Sequence, residues 1–128
     1  MSRVLVVGGS GFLSGTVARE ARRAGHDVWT VTRGRRPLPP DVRALTADRR
    51  DRAGFARALV DAATAWDLVV DCIGFSADDA VQDLECFAGG RARHLVFVST
   101  ESVIEPRERP WTIAEGYDRF TAAPYGRG

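Results

Sequence analysis

The chain has 128 residues, a formal net charge of +1 and 18 basic side chains, every one of them arginine. Because the chain contains no lysine, it cannot supply a Schiff-base lysine, a P-loop lysine or a lysine general base. Its length and its hydrophobic fraction of 45% predict one globular domain, and its net charge excludes a general electrostatic attraction to nucleic acid or anionic membranes.

Short apolar runs alternate with helical periods along the first hundred residues. Residues 4–7 form a continuous apolar run, which predicts a strand buried on both faces, and residues 12–24 have the apolar spacing of a helix that stops at Gly25. A second helix is predicted after the N-cap Asp51. The remaining predictions are strands over residues 28–31, 42–45, 68–73 and 95–98 and a third helix over residues 77–88.

This alternation predicts parallel βαβ units with right-handed crossovers, and so an α/β fold: a Rossmann-like doubly wound sheet of about five strands in the order 3-2-1-4-5. Residues 1–100 are predicted to form this domain. Residues 101–128 contain three prolines and scattered charge, which predicts an active-site loop or a disordered tail of the same domain. On the third helix, one apolar stripe is predicted, which consists of Ala80, Val81, Leu84 and Phe87.

Two cysteines, Cys72 and Cys86, lack CxxC spacing and a companion histidine cluster. This pattern predicts free thiols in a cytoplasmic protein and no metal site. The N-terminal apolar run gives way to glycines too soon for a signal peptide or a membrane span, so we expect no membrane association.

A glycine-rich loop, Gly8-Gly9-Ser10-Gly11, separates the first predicted strand from the first helix. Phosphate groups bind where backbone N–H groups are unobstructed and where the positive end of a helix dipole is close. A strand before the loop and an amphipathic helix after it are the context that such a site requires. We therefore predict a dinucleotide site here rather than a purely structural turn.

The end of the second strand bears on the choice of cofactor. NAD-binding chains usually carry Asp or Glu there to bind the ribose hydroxyls. This chain has Thr32-Arg33-Gly34-Arg35-Arg36 instead. Arg33 can offer its guanidinium to a 2′-phosphate, with Arg35 or Arg36 in support, which favours NADP over NAD. The alternative is that these arginines form a solvated loop or a weak nucleic-acid patch.

Residues 4–13 resemble the opening glycine motif of the extended short-chain dehydrogenases/reductases, in their NAD-dependent epimerase/dehydratase family, and residues 25–28 resemble the start of that family's second strand. The resemblance implies that Asp48 contacts the adenine and that residues 71–74 line the cofactor channel. Together with the loop and the arginines, it gives the predicted cofactor-binding residues Gly8, Gly9, Ser10, Gly11, Phe12, Leu13, Thr32, Arg33, Arg36, Asp48, Arg49, Cys72, Ile73 and Gly74.

Two further segments resemble the catalytic motifs of the family. Residues 96–103 resemble its fifth-strand motif and place the active-site hydroxyl on Thr100, and residues 124–128 resemble the start of its Tyr-x-x-x-Lys motif, with Tyr125 as the tyrosine. In the family this tyrosine acts as acid/base on a substrate hydroxyl or carbonyl. The lysine would stand just after Gly128, so we expect an N-terminal part that stops before the later strands and the substrate domain and is inactive alone.

Three functions remain open from the sequence. The resemblance implies the cofactor-binding part of an NAD(P)-dependent epimerase, dehydratase or reductase that acts on a small molecule such as a sugar nucleotide or a secondary metabolite. The alternatives are a non-catalytic dinucleotide-binding regulatory module and an RNA-associated relative, the latter disfavoured by the net charge of +1. Without its later neighbours, the fifth strand would be an exposed edge through which the chain could self-associate.

Overall fold

The computed structural model of the chain describes residues 1–62 and 65–98. Within these ranges, all strand pairings are parallel and the sheet order is β3-β2-β1-β4-β5, which confirms the predicted α/β fold. The strands are β1 (Arg3–Val7), β2 (Asp27–Thr32), β3 (Arg43–Thr46), β4 (Trp66–Asp71) and β5 (Ala92–Phe97), and the helices are α1 (Phe12–Arg23), α2 (Arg52–Ala62) and α3 (Ala77–Phe87).

The strand order reverses at β1, which lies between β2 and β4. Val6 of β1 pairs with Thr30 on one side and with Val70 on the other, so the three strands end at the same edge of the sheet. In open parallel sheets, ligands bind in the crevice outside the carboxyl ends of the strands at such a reversal. The topology therefore brings the glycine loop, the end of β2 and the end of β4 together.

The sheet is covered on both faces, as its apolar strands predict. Val4, Val6 and Val28 form one core with Ala18 of α1. The alternate side chains of β1 and β2 face the opposite core, which contains Leu5, Val7 and Val31 with residues of α2 and α3. Because neighbouring residues of β1 point to opposite faces and all of Val4 to Val7 are buried, these four positions of the strand are all apolar.

The predicted start of α2 and end of α1 are confirmed. Asp51 caps α2, since its Oδ1 accepts a hydrogen bond from the N–H of Gly54 at 3.1 Å. Gly25 follows α1 with φ +89° and donates its N–H to the carbonyl of Arg22 at 2.9 Å.

Only part of the apolar stripe of α3 is buried: Phe87 belongs to the core, whereas Val81 and Leu84 do not. Val81 and Leu84 of the predicted stripe are 47% and 62% exposed. The buried face is instead mostly polar and consists of Asp79, Gln82, Asp83, Cys86 and Phe87. The reason is the guanidinium of Arg49, which is buried and therefore needs hydrogen-bond acceptors. Gln82 and Asp83 on this side of the helix supply them.

The strand β5 forms one edge of the sheet among the described residues. Two of its apolar side chains, Val96 and Phe97, are 46% and 37% exposed. Self-association through this edge stays a prediction. In the same ranges, no helix combines the length and the apolar character that crossing a membrane requires.

Candidate cofactor-binding site

A cleft of about 430 Å³ opens at the carboxyl ends of the strands, where the sheet order reverses. It is lined by the glycine loop, the end of β2, the loop between β3 and α2, and the loop between β4 and α3. Nine of the predicted cofactor-binding residues line it: Gly8, Ser10, Gly11, Thr32, Arg33, Arg36, Asp48, Arg49 and Ile73. Arg35, the alternative support predicted for Arg33, also lines it. Six further lining residues were not predicted: Ser14, Val31, Ala47, Arg50, Phe55 and Phe75.

The glycine loop has a backbone that other residues rarely adopt. Gly8 and Gly9 have φ values of +112° and +122°. A Cβ atom on Gly9 would lie 2.6 Å from the Cγ2 of Thr30, which is fully buried on β2. Gly9 is not among the lining residues, so its role is to let the loop lie against β2.

The first turn of α1 fits a phosphate group. Its N-cap is Gly11, which has no capping side chain, and the first turn contains no acidic residue. The first N–H groups of a helix have no acceptor within the helix, and the dipole makes this end attractive to anions. Phe12 and Leu13, predicted as cofactor-binding residues, are 92% and 49% exposed and are not among the residues that line the cleft.

Ser14 keeps this turn compact at the position of the loop's usual third glycine. Its hydroxyl accepts a hydrogen bond from the N–H of Gly11 at 3.1 Å, and its side chain is buried against the loop. A small polar residue therefore closes the turn from inside the cleft.

Three arginines form the wall of the cleft at the end of β2. Arg33, Arg35 and Arg36 are exposed, and among the described residues no carboxylate lies within ion-pair distance of any of them. The hydroxyl of Thr32 accepts the N–H of Gly34 at 3.0 Å, which turns the chain so that the arginines follow directly after the strand. These three residues, which we term the arginine wall, therefore offer unpaired cations to a ligand.

Asp48 lines the cleft from the loop after β3. Its Oδ1 accepts the N–H of Arg50 at 2.9 Å, while the residue remains exposed to the cleft. Its second carboxylate oxygen is thus available for a donor such as an exocyclic amine.

Arg49 lines the cleft, but its guanidinium points into the protein and is only 6% exposed. Its Nη1 donates to Asp71 at 2.9 Å, its Nε to Gln82 at 3.0 Å, and its Nη2 to Asp83 and to the carbonyl of Asp79, both at 3.1 Å. The guanidinium therefore does not face the cleft, contrary to what a direct cofactor contact through this side chain would need.

The buried carboxylates of Asp71, Asp79 and Asp83 form what we term the carboxylate cluster. Arg49 and Arg50 contact it, so two positive charges face three acidic groups. Burial, together with a hydrogen bond that protonated Asp83 donates to Asp71 and the charge of Asp71, raises the pKa of Asp83 to about 8 although Arg49 opposes the shift. One proton on Asp83 therefore balances the cluster at neutral pH.

Two further observations agree with this protonation. The Oδ2 of Asp83 is buried without a donor among the described residues, as expected for an oxygen that carries the proton itself. Burial alone would raise the pKa of Asp79, but the N–H of Phe75 and the charges of Arg49 and Arg50 hold it below its ordinary value. Asp79 is thus ionised while Asp83 is protonated.

Sequence reasoning missed this cluster. Asp79, Gln82 and Asp83 have the i, i+3, i+4 spacing that places three polar residues on one helical face. That spacing was the available signal, and the competing apolar stripe on the same helix concealed it.

Three of the predicted channel residues follow directly after β4, and they have different surroundings. Ile73 lines the cleft, whereas Cys72 packs beside the core on the α1 side and Gly74 is buried near the ring of Phe97. Cys72 and Cys86 are free thiols. The predicted catalytic residues Thr100 and Tyr125 lie outside the described residues, as does the segment 101–128.

Known proteins share this sequence pattern. The sequence profile of the NAD dependent epimerase/dehydratase family matches residues 4–88. Among curated proteins, the 2′-dehydrokanamycin reductase of Streptomyces kanamyceticus is 36% identical over 106 residues, which cover 81% of this chain and 29% of the reductase.

Solved structures share the fold. The UDP-glucose 4-epimerase of Thermotoga maritima, solved with UDP-glucose, has a TM-score of 0.76 at 17% identity. The UDP-glucose 4-epimerase of Thermus thermophilus, solved in complex with NAD, has a TM-score of 0.75 at 20% identity. Each comparison covers 97% of this chain and 46% of the epimerase, so the chain spans less than half the length of these proteins.

The match to the family profile extends over most of the described residues and includes the glycine loop, the arginine wall and the carboxylate cluster. Because the profile describes enzymes that depend on NAD, the class of cofactor that it indicates is a nicotinamide dinucleotide. The chain belongs to the NAD dependent epimerase/dehydratase family.

Proposed function

We propose that the cleft binds NADP in preference to NAD and that the chain is the cofactor-binding part of an epimerase, dehydratase or reductase. The observation that carries this proposal is the wall of Arg33, Arg35 and Arg36 at the end of β2, which has no carboxylate partner among the described residues. A 2′-phosphate has two negative charges to offer such a wall, whereas a 2′-hydroxyl has none.

Each side of the cleft has a role in this proposal. The N–H groups at the start of α1 bind the pyrophosphate, and the absence of acidic residues from this turn leaves the positive end of the helix dipole unopposed. Arg33 binds the 2′-phosphate, with Arg36 beside it. Asp48 accepts a hydrogen bond from the adenine amine.

The chemistry is that of a nicotinamide, which donates or accepts a hydride when bound. The substrate is a small molecule that reacts at a hydroxyl or a carbonyl. The relative named 2′-dehydrokanamycin reductase supports a reductase acting on a carbonyl. Thr100 orients this group and Tyr125 exchanges a proton with it, as the family resemblance implies. β5 ends at Phe97, three residues before Thr100, at the same edge of the sheet as the cleft.

Replacing Arg33 and Arg36 together by Gln is expected to abolish the preference for NADP. The unsubstituted chain should bind NADPH about tenfold or more tightly than NADH, because charge-assisted hydrogen bonds to a phosphate are lost with NADH. In the double variant the two dissociation constants should become similar through weaker NADPH binding. Fluorescence titration of both reduced dinucleotides measures this.

Arg57→Gln is the matched control, since Arg57 is an exposed arginine of α2 that does not line the cleft. It should leave both dissociation constants unchanged. Tighter binding of NADH than of NADPH by the unsubstituted chain would contradict the cofactor proposal. Salt-dependent RNA binding without dinucleotide binding would favour the RNA-associated alternative.

A further inference from the structure

Two loops that line the cleft are joined to each other by buried side chains. We term residues 47–50, between β3 and α2, the first wall, and residues 73–75, between β4 and α3, the second wall. Asp48 and Arg50 line the cleft from the first wall, and Ile73 and Phe75 line it from the second. Neither wall belongs to a helix or a strand. Their separation therefore depends on side-chain contacts rather than on the sheet.

Two buried carboxylates join the walls in the same way. Asp71 accepts Nη1 of Arg49 on its Oδ2 at 2.9 Å and the N–H of Ile73 on its Oδ1 at 2.9 Å. Asp79 accepts Nη1 of Arg50 on its Oδ1 at 3.1 Å and the N–H of Phe75 on its Oδ2 at 2.9 Å. Each carboxylate thus holds an arginine of the first wall with one oxygen and a backbone N–H of the second wall with the other.

Gln82 of α3 fixes Arg49 from a third direction. Its Oε1 accepts the Nε of Arg49 at 3.0 Å, and its Nε2 donates to the main-chain carbonyl of Arg49 at 2.7 Å. The amide of Gln82 therefore holds both the side chain and the backbone of Arg49. Because the backbone of Arg49 continues directly into Asp48, these contacts also fix where Asp48 stands.

We infer that Arg49 and Gln82 are positioning residues for the adenosine half of the cofactor: without touching the ligand, they set the distance between the two walls and the place of Asp48. This inference rests on the proposed function, since it concerns the same cleft. It differs from the direct cofactor contact that the sequence pattern indicated for Arg49. The glycine loop is not joined to either wall by these contacts, so pyrophosphate binding should not depend on them.

The test measures two probes by NMR titration of the full chain: ADP, which reaches from the glycine loop to the walls, and inorganic pyrophosphate, which reaches only the loop. Gln82→Leu should weaken ADP binding about tenfold, the scale of one or two lost hydrogen bonds, and leave pyrophosphate binding within twofold of its original value. Arg49→Lys keeps the charge but cannot make the same set of contacts, so it should weaken ADP binding in the same selective manner.

Arg52→Gln is the matched control. Arg52 also bridges to α3, through an ion pair with Glu85 at 2.7 Å, but this pair is exposed and contacts neither wall. The control should bind both probes normally. Equal loss of ADP and pyrophosphate binding in Gln82→Leu, or normal ADP binding in both variants, would overturn the inference. Failure of the unsubstituted chain to bind ADP or NADPH would overturn the proposed function itself. The titration of the unsubstituted chain shows this before any variant is made, so the two failures are distinguishable.

Discussion

The free energy of unfolding of this chain should fall by about 1 kcal/mol per pH unit as the pH rises from about 5 to 8, and Asp83→Asn should remove most of that dependence. The cause is the proton that Asp83 holds in the carboxylate cluster. Its pKa is raised to about 8 in the folded chain and returns to an ordinary aspartate value, about 4, when the chain unfolds.

The direction follows from counting protons. Between these two pKa values the folded chain binds one proton that the unfolded chain does not, so raising the pH favours unfolding. The stabilisation linked to this proton is complete below the unfolded pKa and is lost as the pH rises through the folded one. Asp79 acts in the opposite sense, because its pKa is lowered, but only at more acidic pH than this window.

Asparagine is a close copy of the protonated Asp83. Its amide can donate where the acid donates to Asp71, and its carbonyl can accept from the Nη2 of Arg49, as the Oδ1 of Asp83 does at 3.1 Å. Asp83→Asn should therefore be nearly neutral in stability at pH 5 and more stable than the unsubstituted chain at pH 8. Urea denaturation at pH 5, 6, 7 and 8 measures both effects.

Asp27→Asn is the control for this experiment. Asp27 forms an exposed ion pair with Arg43 at 2.9 Å, outside the carboxylate cluster, and its loss should leave the pH dependence in place. A flat stability profile for the unsubstituted chain between pH 5 and 8, or an unchanged slope in Asp83→Asn, would contradict the protonation of Asp83 in the folded chain.

The carboxylate cluster is the part of the site that could not be predicted from the sequence. Residues 4–7 and the glycine loop are adjacent in the chain, so their structure follows from local pattern, and the sheet order follows from general rules for parallel crossovers. The buried face of α3 instead depends on Arg49, which is 30 or more residues away from Asp79, Gln82 and Asp83. No pattern within the helix specifies that partner.

The cleft itself was partly predictable for the same reason. Arg33 and Asp48 follow directly after β2 and β3, so their place at the carboxyl edge follows from their place in the chain. Phe55 lies on α2 and Phe75 lies in the loop between β4 and α3. Both line the cleft only because the folded chain brings these two segments beside it. Arg49 was assigned to the cleft from its position beside Asp48, but the direction of its side chain depends on acceptors that only the folded chain brings near.

Gly9→Ala should destabilise the chain by about 3 kcal/mol, whereas Gly25→Ala should cost about 1 kcal/mol. Both glycines have positive φ values, +122° for Gly9 and +89° for Gly25. A Cβ on Gly25 would have no atom within 4 Å, so this variant measures backbone strain alone. A Cβ on Gly9 would in addition lie 2.6 Å from Cγ2 and 2.9 Å from Cβ of Thr30.

Thr30 cannot move aside easily. It is fully buried in β2, which pairs with β1 on one side and β3 on the other, and its branched side chain has few alternative rotamers. The glycine loop must therefore shift away from β2, which also moves the N–H groups at the start of α1. Gly9→Ala should for this reason bind pyrophosphate more weakly, while Gly25→Ala binds it normally. Urea denaturation and the same NMR titration measure the two effects, and equal destabilisation by both substitutions would mean that backbone strain, not contact with Thr30, makes Gly9 necessary.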